Sequence, residues 1–117
     1  MEALQIAKLA AQAINSKKGI DIKVLKVDDL TVLTDYFVIA SGTSNTHVSA
    51  LANEVDFKLS EKKINPNHIE GKDGKNWIVL DYGSVVVNVF YLETREYYSL
   101  ERMWADATPI ELNLDEE

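Results

Sequence analysis

The sequence predicts a single α+β domain, a five-stranded mixed sheet with helices mainly on one face. Three observations carry this. Residues 4–14 and 48–59 repeat apolar side chains at helical spacing, while residues 20–24, 36–40, 77–82 and 85–92 are β-prone runs. Their order, with a short strand at 68–70 and a last helix, is helix, strand, strand, helix, three strands, helix. No repeat or linker divides the 117 residues, enough for a core without metal or disulfide staples. Residues 1–107 are assigned to the domain and residues 108–117 to an acidic, mobile tail.

The first helix places Leu4, Ala7, Ala11 and Ile14 on one stripe and stops at Lys17, Lys18 and Gly19. Ile20, Ile22 and Val24 then alternate with Asp21 and Lys23 as in a half-buried strand, and the slip in phase at residues 25–27 predicts a bulge there. Residues 36–40 are apolar throughout, which suits a central strand covered on both faces. Val48, Leu51, Ala52, Val55 and Leu59 form the stripe of the second helix, with Thr43 or Ser44 placed to cap it and an end near Lys63. Asn65, Pro66 and Asn67 make a turn, residues 68–70 suffice only for an edge strand, and GKDGK at 71–75 is a loop. Residues 77–82 and 85–92 pair through a tight turn at Gly83 and Ser84. Thr94 is the expected cap of a last helix whose Tyr97, Leu100 and Trp104 share one face.

Charge is unevenly placed. Residues 1–92 hold ten Lys against eleven acids, whereas residues 93–117 hold two Arg against eight, so most of the net charge of −7 is C-terminal. Autonomous binding to nucleic acid needs clustered cations, and only the pairs Lys17–Lys18 and Lys62–Lys63 occur. A basic protein partner fits better. The absence of cysteine excludes a disulfide framework, a thiolate metal site and a cysteine nucleophile. No stretch reads as a signal peptide, a transit peptide or a membrane span, so a cytoplasmic location is expected.

The loop SGTSNTH at 41–47 joins a strand to a helix, a place where free amides and the helix dipole can hold phosphate. It lacks the lysine of a P-loop and two of the three glycines of a dinucleotide fingerprint. A nucleotidyltransferase would need paired carboxylates on the following strand to hold its metals, but Glu54 and Asp56 lie in the helix and Asp81 stands alone. A nucleotide-handling enzyme built on the Gly42 loop and Asp81 is the alternative reading; Asp81 equally suits a turn. His47 and His68 sit in no metal-ligand spacing, and Ser41, Thr43 and Ser44 lack an oriented base. No catalytic, metal or cofactor residue is assigned. The C-terminal surplus of Tyr97, Tyr98, Leu100, Met103 and Trp104 among acids instead has the composition of a protein interface.

The strings DYFVIASGTSNTHVSALA (35–52), WIVLDYGSVVVNVF (77–90) and REYYSLERMWADA (95–107) resemble the ribosomal silencing factor family, also called Iojap-like proteins. Three blocks in the right order span nearly the whole chain. The resemblance implies a fold related to nucleotidyltransferases without their activity or cofactors. It further implies binding to a basic ribosomal protein on the intersubunit face of the large ribosomal subunit, blocking of subunit joining, and repression of translation. By the same resemblance the contact face includes Trp77, Asp81, Tyr98, Leu100, Glu101, Trp104 and Asp106. The resemblance also leads to the expectation of a basic residue at position 46, where this chain has Thr46. A homodimer through the strand at 68–70 or the apolar hairpin stays open.

Overall fold

The computed structural model describes residues 2–114, apart from the side chains of Tyr97 and Tyr98. In chain order the elements are α1 (Ala3–Ser16), β1 (Ile20–Lys26), β2 (Tyr36–Gly42), α2 (Asn45–Glu61), β3 (His68–Glu70), β4 (Trp77–Asp81), β5 (Val85–Tyr91), α3 (Leu92–Tyr98), α4 (Leu100–Met103) and β6 (Thr108–Pro109). They build a mixed α+β sheet of order β3-β4-β5-β2-β1-β6, in which only β2 and β5 run parallel. The apolar β2 is interior, as its composition requires, and the short β3 is an edge.

Strand alternation divides the core in two. Val24, Val38, Ala40, Ile78, Leu80, Val85, Val87 and Val89 point to one face, where they meet Ile6, Ala10, Ile14, Leu51, Val55 and Leu59 of α1 and α2. Leu25, Val27, Ile39 and Phe90 point to the other, where Ala107, Leu100 and Trp104 close over them. The two long helices therefore occupy one face, and the C-terminal segment crosses part of the opposite one.

Several local expectations need correction. The sheet has six strands, not five, because Thr108 and Pro109 pair with Lys26 and Leu25 and the Ile110 amide donates to the Val24 carbonyl at 2.8 Å. Proline is tolerated there because an edge strand need not donate on its outer side. The segment expected to be a mobile tail thus begins as β6, and Ile110, Leu112 and Leu114 pack against the larger core; residues 115–117 lie outside the described residues. The bulge falls between Ile20 and Lys23, with Asp21 at φ 50°, and not at 25–27. The phase slip there reflects Leu25 and Val27 entering the second core while Val24 enters the first. The last helix starts at Leu92, directly from β5, so Thr94 is inside it; it breaks at Ser99, φ 48°, so residues 97–104 share no continuous helical face.

Gly42 marks where β2 meets α2 most closely. A Cβ there would lie 2.9 Å from the Val48 amide nitrogen and 3.0 Å from Val48 Cγ2. Because the nearer obstacle is helix backbone, Gly42→Ala is expected to destabilise the protein by about 1–3 kcal/mol, read as a lower denaturant midpoint at unchanged slope.

Candidate functional site

The loop that could have held phosphate is engaged in the fold. Ser44 Oγ accepts from the His47 amide at 3.1 Å and caps α2. His47 Nδ1 accepts from the Thr43 amide at 2.9 Å, while Nε2 lies 2.8 Å from the Lys17 carbonyl. A neutral ring protonated at Nε2 satisfies both, tying the loop to the end of α1. Ser41 is wholly buried. Asp81 Oδ1 accepts from the Gly83 amide at 2.8 Å and so stabilises the β4–β5 turn. Among the described residues no group of three or more His, Cys, Asp or Glu side chains could hold a metal, and no helix is long and apolar enough to cross a membrane.

The aromatic candidates converge on the smaller core. Trp77, half-buried on β4, stacks on Phe90 at 4.8 Å and 28° and donates from Nε1 to Asn88 Oδ1 at 3.0 Å. Trp104 tilts against Phe37 at 5.1 Å and 59°. With Leu100 these residues rim the cluster of Leu25, Val27, Ile39, Phe90 and Ala107. Both tryptophans are therefore supports with an accessible side. Beyond the C-terminal cover, Val79 and Val86 lie half-exposed on the same sheet face, with Asp81 at its end. Met103 is 70 % exposed on α4, and Asp106 is exposed in the turn that follows. Tyr98 closes α3; its side chain lies outside the described residues.

Glu101 has a different environment from a free rim charge. Its carboxylate takes a forked pair of hydrogen bonds from Arg95, Nε to Oε1 at 3.2 Å and Nη2 to Oε2 at 3.0 Å, and Lys23 Nζ approaches Oε2 at 3.4 Å. Arg95 is 5 % exposed. Its Nη1 also donates to the Asp21 carbonyl at 2.7 Å, to the Ile20 carbonyl at 3.4 Å and to Ser41 Oγ at 3.1 Å. The bulge at Asp21 makes those carbonyls available. One guanidinium thus joins α3, α4, the start of β1 and the end of β2. Sequence reasoning missed it, although Arg95 is one of only two cations in the acidic last quarter.

Comparison with known proteins covers the whole chain. A sequence profile described as "Ribosomal silencing factor during starvation" matches residues 1–117. The chain is similar to ribosomal silencing factor RsfS of Bacillus subtilis, 37 % identical over 113 residues that cover 97 % of this chain and 96 % of that one. It is 40 % identical over 87 residues to a mouse protein named mitochondrial assembly of ribosomal large subunit protein 1, covering 72 % of this chain and 38 % of the mouse protein. A crystal structure of a Chromobacterium violaceum protein superposes with a TM-score of 0.88 at 36 % identity, covering 98 % of this chain and 95 % of the other.

Two outcomes test the Arg95 network. Arg95→Met strands the Ser41 hydroxyl, two strand carbonyls and Glu101, and is expected to cost about 3–5 kcal/mol of folding stability; Arg95→Lys, with no fork, recovers only part of it. Burial alone pushes the Glu101 carboxyl up, but hydrogen bonds and charge from Arg95 and Lys23 outweigh it and hold the group below the ordinary glutamate value. A depressed folded pKa gives stability that is present above the unfolded pKa and lost as pH falls through the folded one. Stability of the parent should therefore fall more steeply with acidification in that window than stability of Glu101→Gln, as measured by urea titration at stepped pH.

Proposed function

The chain belongs to the ribosomal silencing factor family, and on that premise we propose that it docks on a basic protein of the large ribosomal subunit and excludes the small subunit by its bulk. The family is one of ribosome-associated regulatory factors, not of enzymes. One observation supports the docking face above all. The sheet face opposite α1 and α2 is only partly covered, and half-buried Trp77, Leu100 and Trp104 surround the boundary between covered and open parts. Such side chains are supported from behind and reach outward, the arrangement that concentrates binding energy at protein interfaces.

Charge complements shape. Asp81 is half-exposed at the end of this face and Asp106 is exposed beside Trp104, and a net charge of −7 steers the chain toward a basic surface while disfavouring bare RNA. Tyr98 enters the proposed face by the family resemblance, and Glu101 contributes by holding α4 in place through Arg95. Inhibition needs no chemistry: a factor resident on the intersubunit face blocks joining for as long as it stays bound. Translation is thereby repressed in the compartment that holds the ribosomes, which we take to be the cytoplasm. The mouse relative's name, which refers to assembly of the large subunit, is consistent with the particle chosen. Kinship with nucleotidyltransferases enters only as ancestry without the chemistry.

Cosedimentation tests the proposal. The chain is expected to travel with large subunits and not with small subunits or joined ribosomes, and to prevent joining when added first. Leu100→Ala should weaken binding by about 1–2 kcal/mol through faster dissociation, whereas Asp106→Asn should mainly slow association and flatten its salt dependence. Equal binding to all three particles would overturn the steric mechanism.

A further inference from the structure

The loop between β1 and β2 turns its side chains the wrong way for a core. Val32 is fully exposed and Leu33 is 83 % exposed, whereas the polar Thr34 is buried with no hydrogen-bond partner for its hydroxyl among the described residues. The loop is nevertheless pinned. The Val27 amide donates to the Asp35 carbonyl at 2.8 Å across its neck, the amides of Leu30 and Thr31 both donate to the Val27 carbonyl at 2.9 and 3.0 Å, and the Leu33 amide donates to Thr31 Oγ1 at 3.1 Å. Leu30, 45 % exposed, extends the apolar tip. A fixed loop that holds aliphatic side chains in water presents a surface for something else to cover.

The electrostatic frame indicates the occupant. Asp28 and Asp29 precede the tip and Asp35 follows it; Asp28 and Asp35 also line, with Glu2, Leu4 and Tyr36, a concavity beside it. The nearby cation Lys26 lies 3.9 Å from Asp28, but both are exposed, so solvent screens the pair and the surround stays acidic. A second copy docked about a two-fold axis would bring these acids against their own kind, and a polyanion would be repelled. We propose that this loop is a docking surface for a basic polypeptide segment, whose aliphatic side chains cover Val32 and Leu33 while its lysines or arginines reach Asp28, Asp35 and Glu2. The tip contributes no residue to the Trp77, Leu100 and Trp104 cluster, so the proposal stands or falls independently of ribosome docking.

A labelled nine-residue peptide alternating lysine and leucine, titrated with the full chain, provides the probe; versions with Glu for Lys and Ser for Leu are the controls. The Lys/Leu peptide is expected to bind and both controls to lose binding. Val32→Ser with Leu33→Ser should weaken it about tenfold or more with an unchanged melting temperature, since both residues are exposed. Asp28→Asn with Asp35→Asn should weaken it and flatten its salt dependence, and Asp106→Asn with Glu111→Gln should leave it unchanged. Parent-like affinity of the Val32→Ser, Leu33→Ser chain overturns the proposal, as does an equal loss in the Asp106→Asn, Glu111→Gln chain. A concentration-dependent dimer in sedimentation that disappears with Val32→Ser and Leu33→Ser overturns it too, by seating a second copy on the loop.

Discussion

The fold of the C-terminal third depends on one buried cation. Arg95 satisfies two strand carbonyls, a buried serine hydroxyl and both oxygens of Glu101 at once. A guanidinium can do this because its donors lie in a rigid plane and point in several directions. Without it, the bulge at Asp21 would have no compensation for its left-handed backbone, and the break at Ser99 would leave α4 with little to fix its direction. With it, a single helical turn is held across the sheet, where Leu100 and Trp104 cover Leu25, Ile39 and Phe90. Partial cover is the consequence, and the proposed binding face lies at its margin.

The two sides of the sheet are therefore energetically different. On the side of α1 and α2, aliphatic side chains interlock in a continuous core whose buried members offer a partner almost no accessible surface. On the other side, a smaller cluster supports aromatic residues that remain half-open. The larger core and the proposed binding surface thus lie on opposite faces of the same strands, through nothing more than the two-residue alternation of a β-strand. A substitution at Ile78 or Leu80 addresses the fold, whereas one at Val79, between them, addresses the surface.

Sequence periodicity exposed the elements whose stability is local or repetitive. The stripes of α1 and α2, the apolar β2, the β4–β5 hairpin, the edge position of β3 and the Ser44 cap all follow from spacing or from a residue's own hydrogen-bonding capacity. What stayed hidden depends on contacts distant in the chain. Asp21 reads as the polar member of an alternating strand until Arg95, 74 positions later, occupies its carbonyl. Glu101 reads as surface charge until the same arginine turns to meet it. The break at Ser99 has no glycine or proline to announce it, and β6 is two residues long with a proline, so no period betrays either. The family blocks at 35–52, 77–90 and 95–107 fall on β2 and the first half of α2, on β4 and β5, and on α3, α4 and the turn after them.

Hydroxyl-radical footprinting of the chain bound to purified large subunits addresses the central claim most directly, because oxidisable side chains occupy both sides of the molecule. Trp77, Trp104 and the 70 % exposed Met103 mark the sheet face, and Phe57, 57 % exposed on α2, marks the opposite one. Docking through the partly covered face predicts that Trp77, Trp104 and Met103 are protected together while Phe57 is oxidised at its free rate. Protection of Phe57 with undiminished oxidation of Trp77 and Trp104 would contradict it and move the binding surface to the helical side.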